Sequence, residues 1–441
     1  MSQDTLFPMC DAPAPTGGSD SLRAPARVQV PERNQVEMII AALDSLLTQD
    51  HQARVVWAFV EGQDLSELYR RIRATEDRPG RTPIDPRLLM ALWLNATLDG
   101  VGAARELARR CEDDVAYRWL CGGVSVNYHT LSDFRVDHAE FLDALLTQNV
   151  AVLMHEGLVT LARVAQDGMR VRASAGASSY RRQPTLEQCL ADAKEQVEAL
   201  RREAQEDSPS GTARVRAARE RAARERQERL ERALARSEEI RAAKPENARE
   251  KVRVSTTDPE VPVMKMGDGG FRPAANVEFA TDTGSQIMTG LDVTGRGSDR
   301  GEMPPMVEQH QKRYGTYPGE FLVDGGFVGK EDIGAVSAPD KGCTVYAPVP
   351  KPKKDVQRGR FEPLHDDSEA VAAWRRRMGT PEAQEIYKER ASTAECVNAI
   401  ARNRGLRQFT VRGLKKIKAV VLWYVLAHNL MRAHRLRLAM A

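Results

Sequence analysis

The sequence predicts an α/β (α+β) chain, and three observations carry the prediction. Residues 36–150 hold short apolar-periodic helical stretches separated by Gly and Pro. From Val159 onward, β-branched runs punctuated by Gly and Asp alternate with helical stretches. Within that second region, residues 185–250 are charge-dense and helical, with no strand signal. The 441 residues leave room for two or three domains. The predicted organisation is a disordered leader (1–31), a helical N-terminal domain (32–150) and a second domain (151–440) interrupted by a helical hairpin (185–250).

Taken in order, two amphipathic helices are expected over residues 36–73. A turn-rich link, Arg78 to Pro86, leads into an apolar helix from Arg87 to Leu98. Helices Ala103 to Arg110 and Asp114 to Leu120 follow. The next opens near Asn127, with Thr130 and Asp133 at capping-box spacing. It carries Ser132, Arg135 and His138, a pattern similar to a helix-turn-helix reader, and Arg135 is taken as a DNA contact. Val159 to Val171 reads as strand, an Asp167-Gly168 turn, then strand. Leu186, Leu190, Ala193, Val197, Leu200 and Ala204 form a coiled-coil-like seam, broken by Ser208-Pro-Ser-Gly211.

Antiparallel strands are expected from Val261 to Thr294, then a helix from Pro304 to Tyr314. Gly319 to Val323 is an apolar strand that delivers Asp324 at its C-terminal end, beside Gly325 and Gly326. Thr344 to Val349 is a buried strand and Glu369 to Arg377 a helix. The helix from Glu382 to Asn403 contains no Gly or Pro. Along it Tyr387, Arg390 or Ala391, Ala394 or Glu395, Asn398 and Arg402 recur every three or four residues, so one face presents a phenol, a guanidinium, a carboxylate and a second guanidinium. Such a face suits phosphate, gripped by Arg, beside a hard cation such as Mg²⁺ bound by the carboxylate. A final helix runs from Leu414 to Arg437.

Net charge is +3, but from Cys396 to Ala441 there are ten Arg and Lys and no Asp or Glu. That asymmetry points to a polyanionic partner, with Lys415, Lys416 and Lys418 the exposed candidates. The six Cys form no C-x-x-C pair, which argues against a zinc knuckle or disulfide framework and fits a reducing cytoplasm. The first thirty residues have no signal-peptide pattern, and the longest apolar run, Ala419 to Ala427, is too short to span a bilayer. No membrane partner is expected.

Three carboxylates stand in order: Asp167 on a first strand, Asp324 ending a later one, and Glu395 on a following helix. That order is the logic of an RNase H-like core whose acids converge on two divalent ions. Asp268, Asp282 and Asp292 lie in or beside strands, but none ends a strand next to paired glycines.

These motifs resemble the DDE transposases of bacterial insertion sequences, in the group with a Tyr-Arg-Glu-Lys signature around the last acid. The resemblance rests on Tyr387, Arg390 and Glu395, on Val164 to Ala173 around the first acid, and on Phe321 to Phe327 around the second. It extends to Asp85 to Met90, Asp114 to Leu120 and Thr130 to Arg135, and covers about residues 30–438. Arg402 stands where the signature has Lys, Met169 where Thr or Ser is common, and the Arg390–Glu395 spacing exceeds the motif's shortest form by one. The resemblance implies that Asp167, Asp324 and Glu395 bind two Mg²⁺, with Mn²⁺ a substitute, to nick and join DNA strands. It implies that Tyr387, Arg390 and Arg402 hold terminal phosphates. Its expected partners are double-stranded DNA, as terminal inverted repeats and target, and a second copy of the chain in the DNA complex. The competing readings are a non-catalytic DNA-binding derivative and an RNase H-like nuclease that cannot join strands.

Overall fold

The computed structural model describes residues 40–72, 82–205, 213–352 and 359–440. The predicted leader, residues 78–81 of the 78–86 link and the 208–211 break lie outside them. Leu43–Ala441 form one compact unit.

A 3₁₀ turn (Leu43–Leu46) precedes α1 (Gln52–Glu61) and α2 (Ser66–Arg70). Helix α3 (Pro86–Leu98) starts where Pro is tolerated, and the Asp85 carboxylate accepts from Arg87 N at 2.8 Å. Helices α4 (Ala104–Asp113) and α5 (Val115–Cys121) follow, α5 capped by Asp114. Next come α6 (Tyr128–Asp137) and α7 (Ala139–His155). The cap of α6 is Asn127, whose Oδ1 accepts from Thr130 N at 3.0 Å. Thr130 is therefore inside the helix, and the predicted capping box starts three residues too late. Asn127 wins because it holds the extended backbone that a cap needs.

The sheet is mixed. Strand β1 (Arg163–Arg172) pairs antiparallel with the long β5 (Phe271–Asp282), which also carries β4 (Val263–Lys265) and β6 (Met288–Thr294) antiparallel. Beyond β1, β7 (Glu320–Leu322) and β8 (Thr344–Tyr346) continue in parallel. A second, two-stranded sheet pairs β2 (Tyr180–Arg181) with β3 (Val254–Ser255). Between β2 and β3 stand the predicted hairpin helices α8 (Gln183–Gln205) and α9 (Ala213–Ala242), then α10 (Glu246–Arg249). Leu186, Ala193 and Val197 of the predicted seam are buried.

Helix α11 (Met303–Tyr314) follows β6, and α12 (Lys330–Val336) follows β7. After β8 come α13 (Glu369–Met378), α14 (Pro381–Arg390), α15 (Cys396–Asn403) and α16 (Leu414–Met440). Helix α16 is buried almost continuously from Ile417 to Leu430 and packs on α3, α6, α7 and β6. One hydrophobic core therefore joins the helical region to the sheet. Each large apolar side chain it buries, Trp423 and Leu422 among them, stabilises by about 1.5–3 kcal/mol. Among the described residues no helix is long and apolar enough to cross a membrane.

Two expectations about the central segments are corrected. Asp167-Gly168 is not a turn: β1 runs straight through it, with Asp167 opposite Phe279 and Gly168 opposite Glu278. Nine consecutive residue pairs with β5 outweigh the local turn preference. The helix over 382–403 is also not uniform. Its middle, Ala391–Glu395, is a π turn flanked by α14 and α15.

Candidate active site

The π turn explains how the last acid reaches the other two. In an α-helix a residue five positions on points about 140° away. A π turn closes i→i+5 bonds and stacks the fifth residue over the first. Glu395 thus returns to Arg390, and Glu395 Oε1 stands 3.2 Å from Arg390 Nη1. The same guanidinium has Asp167 Oδ1 and Asp324 Oδ2 each 3.6 Å from its Nη2. Arg390 is 10% exposed at its side chain, so it sits among the three acids rather than in solvent. Strand β1, the end of β7 and one helical turn each deliver a carboxylate to one cation.

Asp167 is the most constrained acid. Its Oδ1 accepts from Gly168 N at 3.1 Å and its Oδ2 from Asn398 Nδ2 at 2.9 Å. Burial pushes its carboxyl up to about 6; Arg390 pulls against that shift and Asp324 adds to it. Asp324 accepts from Gly326 N at 2.7 Å, which fixes the bend after β7. Glu395 is 63% exposed, the freest of the three. Tyr387 is half-buried beside the group, and burial raises its phenol above the usual range.

Among the described residues no group of three His, Cys, Asp or Glu is drawn tightly enough to hold a metal as it stands. The donor set still suits a hard divalent ion. It offers three carboxylates on one side of the sheet, already arranged around positive charge, with the most exposed one free to turn.

The other expected contacts divide. Arg402 is exposed at the end of α15 and, among the described residues, pairs with none of the three acids. Lys415 and Lys416 are exposed and Lys418 half-buried at the start of α16. Lys415 reaches Glu140 at 2.8 Å, a fully solvated pair of little energetic weight. Arg135 is a correction. It is 7% exposed, stacks over Trp93 at 4.6 Å and donates to Gly102 O, and burial pulls its guanidinium down to about 10. A side chain so enclosed serves the core and is not presented at the surface, which argues against the expected DNA contact. The aspartates set aside earlier do structural work: Asp268 pairs with Arg272, Asp282 accepts from Ser285 N, and Asp292 accepts from Val293 N.

Sequence reasoning missed a second polar group, on the Gly168 face of β1, whose Asp299 also approaches Gly326 beside Asp324. Strand alternation turns Gly168 away from Asp167. A Cβ built on Gly168 would stand 2.7 Å from Glu278 Oε1, 2.9 Å from Asp299 Oδ1 and 3.2 Å from Asn276 Oδ1. The Asn276 amide donates to Glu278 at 2.7 Å and Asp299 at 2.8 Å, and Gln166 donates to the other Glu278 oxygen at 3.1 Å. The one available signal was the Gly after Asp167, a mark of close approach rather than of a turn.

Burial, then the charge of Asp299, holds the Glu278 carboxyl well above its ordinary value of 4.5. A raised folded pKa contributes stability that is present below about 4.5 and lost as pH rises. Glu278→Gln is therefore expected to raise Tm at pH 8 and to lose that gain towards pH 4.5. An equal change in Tm at both pH values, read by calorimetry, would refute this account.

Comparison with known families then bears on the site. Residues 341–434 match the family described as "Transposase DDE domain". Residues 41–137 match "Transposase domain (DUF772)". Together the matches support an insertion-sequence DDE transposase. The 341–434 match contains Arg390, Glu395 and Asn398 but neither aspartate, so Asp167 and Asp324 rest on their geometry around Arg390. No curated protein and no solved structure matches the chain.

Proposed function

We propose that the chain is the transposase of an insertion sequence of the Tyr-Arg-Glu-Lys type, with an RNase H-like core. It binds terminal inverted repeats of double-stranded DNA, as two copies in the DNA complex, and cuts and joins strands at Asp167, Asp324 and Glu395. The observation that carries this reading is the convergence of three acids, from two adjacent strands and a π turn, on Arg390.

Asp167, Asp324 and Glu395 would hold two Mg²⁺, or Mn²⁺ in their place. When bound, such ions activate the attacking oxygen and stabilise the leaving one. Asn398 and Gly168 N orient the Asp167 carboxylate. Arg390 holds the acids together and, with Tyr387 beside it, presents donors to a phosphate brought to them. Arg402 and the lysines at 415, 416 and 418 extend positive charge outward for the DNA backbone.

The test is incubation of the full chain with duplexes carrying the inverted repeats that flank its gene. Mg²⁺-dependent nicking at the repeat end, followed by joining to target DNA, is expected. Nicking without joining would instead identify a nuclease, and binding without nicking a non-catalytic derivative. Exchanging Lys415, Lys416 and Lys418 for Gln is expected to flatten the log–log dependence of affinity on salt by up to about 3. An unchanged slope would leave these lysines as a solvated helix end.

A further inference from the structure

The inserted hairpin has no part in the acid site, yet α9 is strongly basic. It carries ten Arg against six Glu over residues 213–242. Its base is fixed to the rest of the fold by a small separate core, in which Leu186 and Ala233 pack with Val252 and Val254. Arg226, Arg229 and Arg232 follow each other at three-residue spacing, so they lie along one side of α9. Arg226 donates to Gln196 at 2.8 Å, and none of the three forms an ion pair among the described residues.

Arg229 Nε is buried without a hydrogen-bond partner. Burial lowers the Arg229 pKa, and the charges of Arg412, Arg232 and Arg226 add to that, with Glu225 opposing. Arg412 comes from the acid-free C-terminal segment, and its Nε donates to Ser174 O at 3.2 Å, just past the end of β1. Beside this group a cleft of about 530 Å³ opens between α9 and the end of β6, lined by Arg232, Glu260, Arg296 and the ion pair of Arg236 with Glu239. Arg226, Arg229 and Arg232, gathered without ion-pair partners among the described residues, repel one another, and the arrangement is relieved when a polyanion supplies the missing charge.

We propose that Arg226, Arg229 and Arg232 of the hairpin, with Arg412, form a second phosphate-backbone contact for the DNA whose end lies at the acids. This rests on the DNA reading above and adds a role for the insertion. Asp167 and Ser174 are seven residues apart, or about 23 Å along extended backbone. At 3.4 Å per nucleotide that distance is about seven base pairs. With the duplex lying along β1, the patch meets phosphates about seven nucleotides from the cut, within the same turn of duplex.

The test uses the full chain with Arg226, Arg229 and Arg232 all exchanged for Gln, and a second variant with all three exchanged for Lys. Circular dichroism and Tm check that both fold. Affinity for a repeat-end duplex is measured across KCl concentrations, with phosphate ethylation to locate contacts. The Gln variant is expected to flatten the salt slope by about 2–3 and to lose interference near the seventh phosphate, whereas the Lys variant keeps both. If the Gln variant keeps the slope while the Lys415, Lys416 and Lys418 exchange flattens it, the DNA reading stands and this patch is excluded. A wild-type chain that binds no duplex overturns the functional reading, and the patch with it.

Discussion

Replacing Asp324 with asparagine is expected to reduce Mg²⁺-dependent nicking by at least about 100-fold while leaving duplex binding near wild type. The asymmetry follows from where charge sits. Asp324 is one of three carboxylates around Arg390, so the exchange removes one of three negative charges from the proposed cation-binding group. The bend after β7 survives, because asparagine retains an oxygen to accept from Gly326 N. On the proposed reading, affinity for DNA comes from the basic segments, which the exchange does not touch. Nicking at the wild-type rate in this variant would remove Asp324 from the site. An equal loss of binding and nicking would mark it as structural.

Much of the fold was legible because packing and local signals agree there. In α3, Pro86 and Asp85 give a start signal and the apolar run fills a core, so its limits were nearly met. Helix α16 was read from the same continuity of apolar residues, and it is indeed the element that the helical region and the sheet share. The three acids were picked out by Asp167 in an apolar strand, Asp324 at the end of another and Glu395 on a helix face shared with Tyr387 and Arg390, and the structure brings all three to Arg390.

What could not be read was geometry set by partners distant in sequence. Asp-Gly favours a turn locally, yet β5 recruits the segment as one continuous strand. The π turn leaves no mark in composition; only the five-residue gap between Arg390 and Glu395 hints at it. Arg135 shows the limit of reading function from helix position. An Arg on an exposed helix face and an Arg stacked on Trp93 have the same sequence signature, and only the packing of α6 under α16 separates them.

Exchanging Gly168 for alanine is expected to destabilise the fold by about 1–3 kcal/mol and to depress nicking more than that loss alone explains. The backbone conformation is not the obstacle, since Gly168 lies in a regular strand outside the left-handed region. The obstacle is space. The new methyl would meet Glu278 Oε1 at 2.7 Å and Asp299 Oδ1 at 2.9 Å, and Glu278 is fully buried and held by Asn276 and Gln166. With little freedom on that face, β1 is driven towards the other, where Asp167 meets Arg390 and Asn398. A small displacement there separates the first acid from the second, and catalytic geometry tolerates little misplacement. Shortening the obstacle supplies the control: Gly168→Ala combined with Asp299→Ala removes one of the two closest oxygens and is expected to recover part of both stability and nicking. Full activity and an unchanged Tm in the single variant would show that the oxygens yield freely, and that Gly168 is not what positions Asp167.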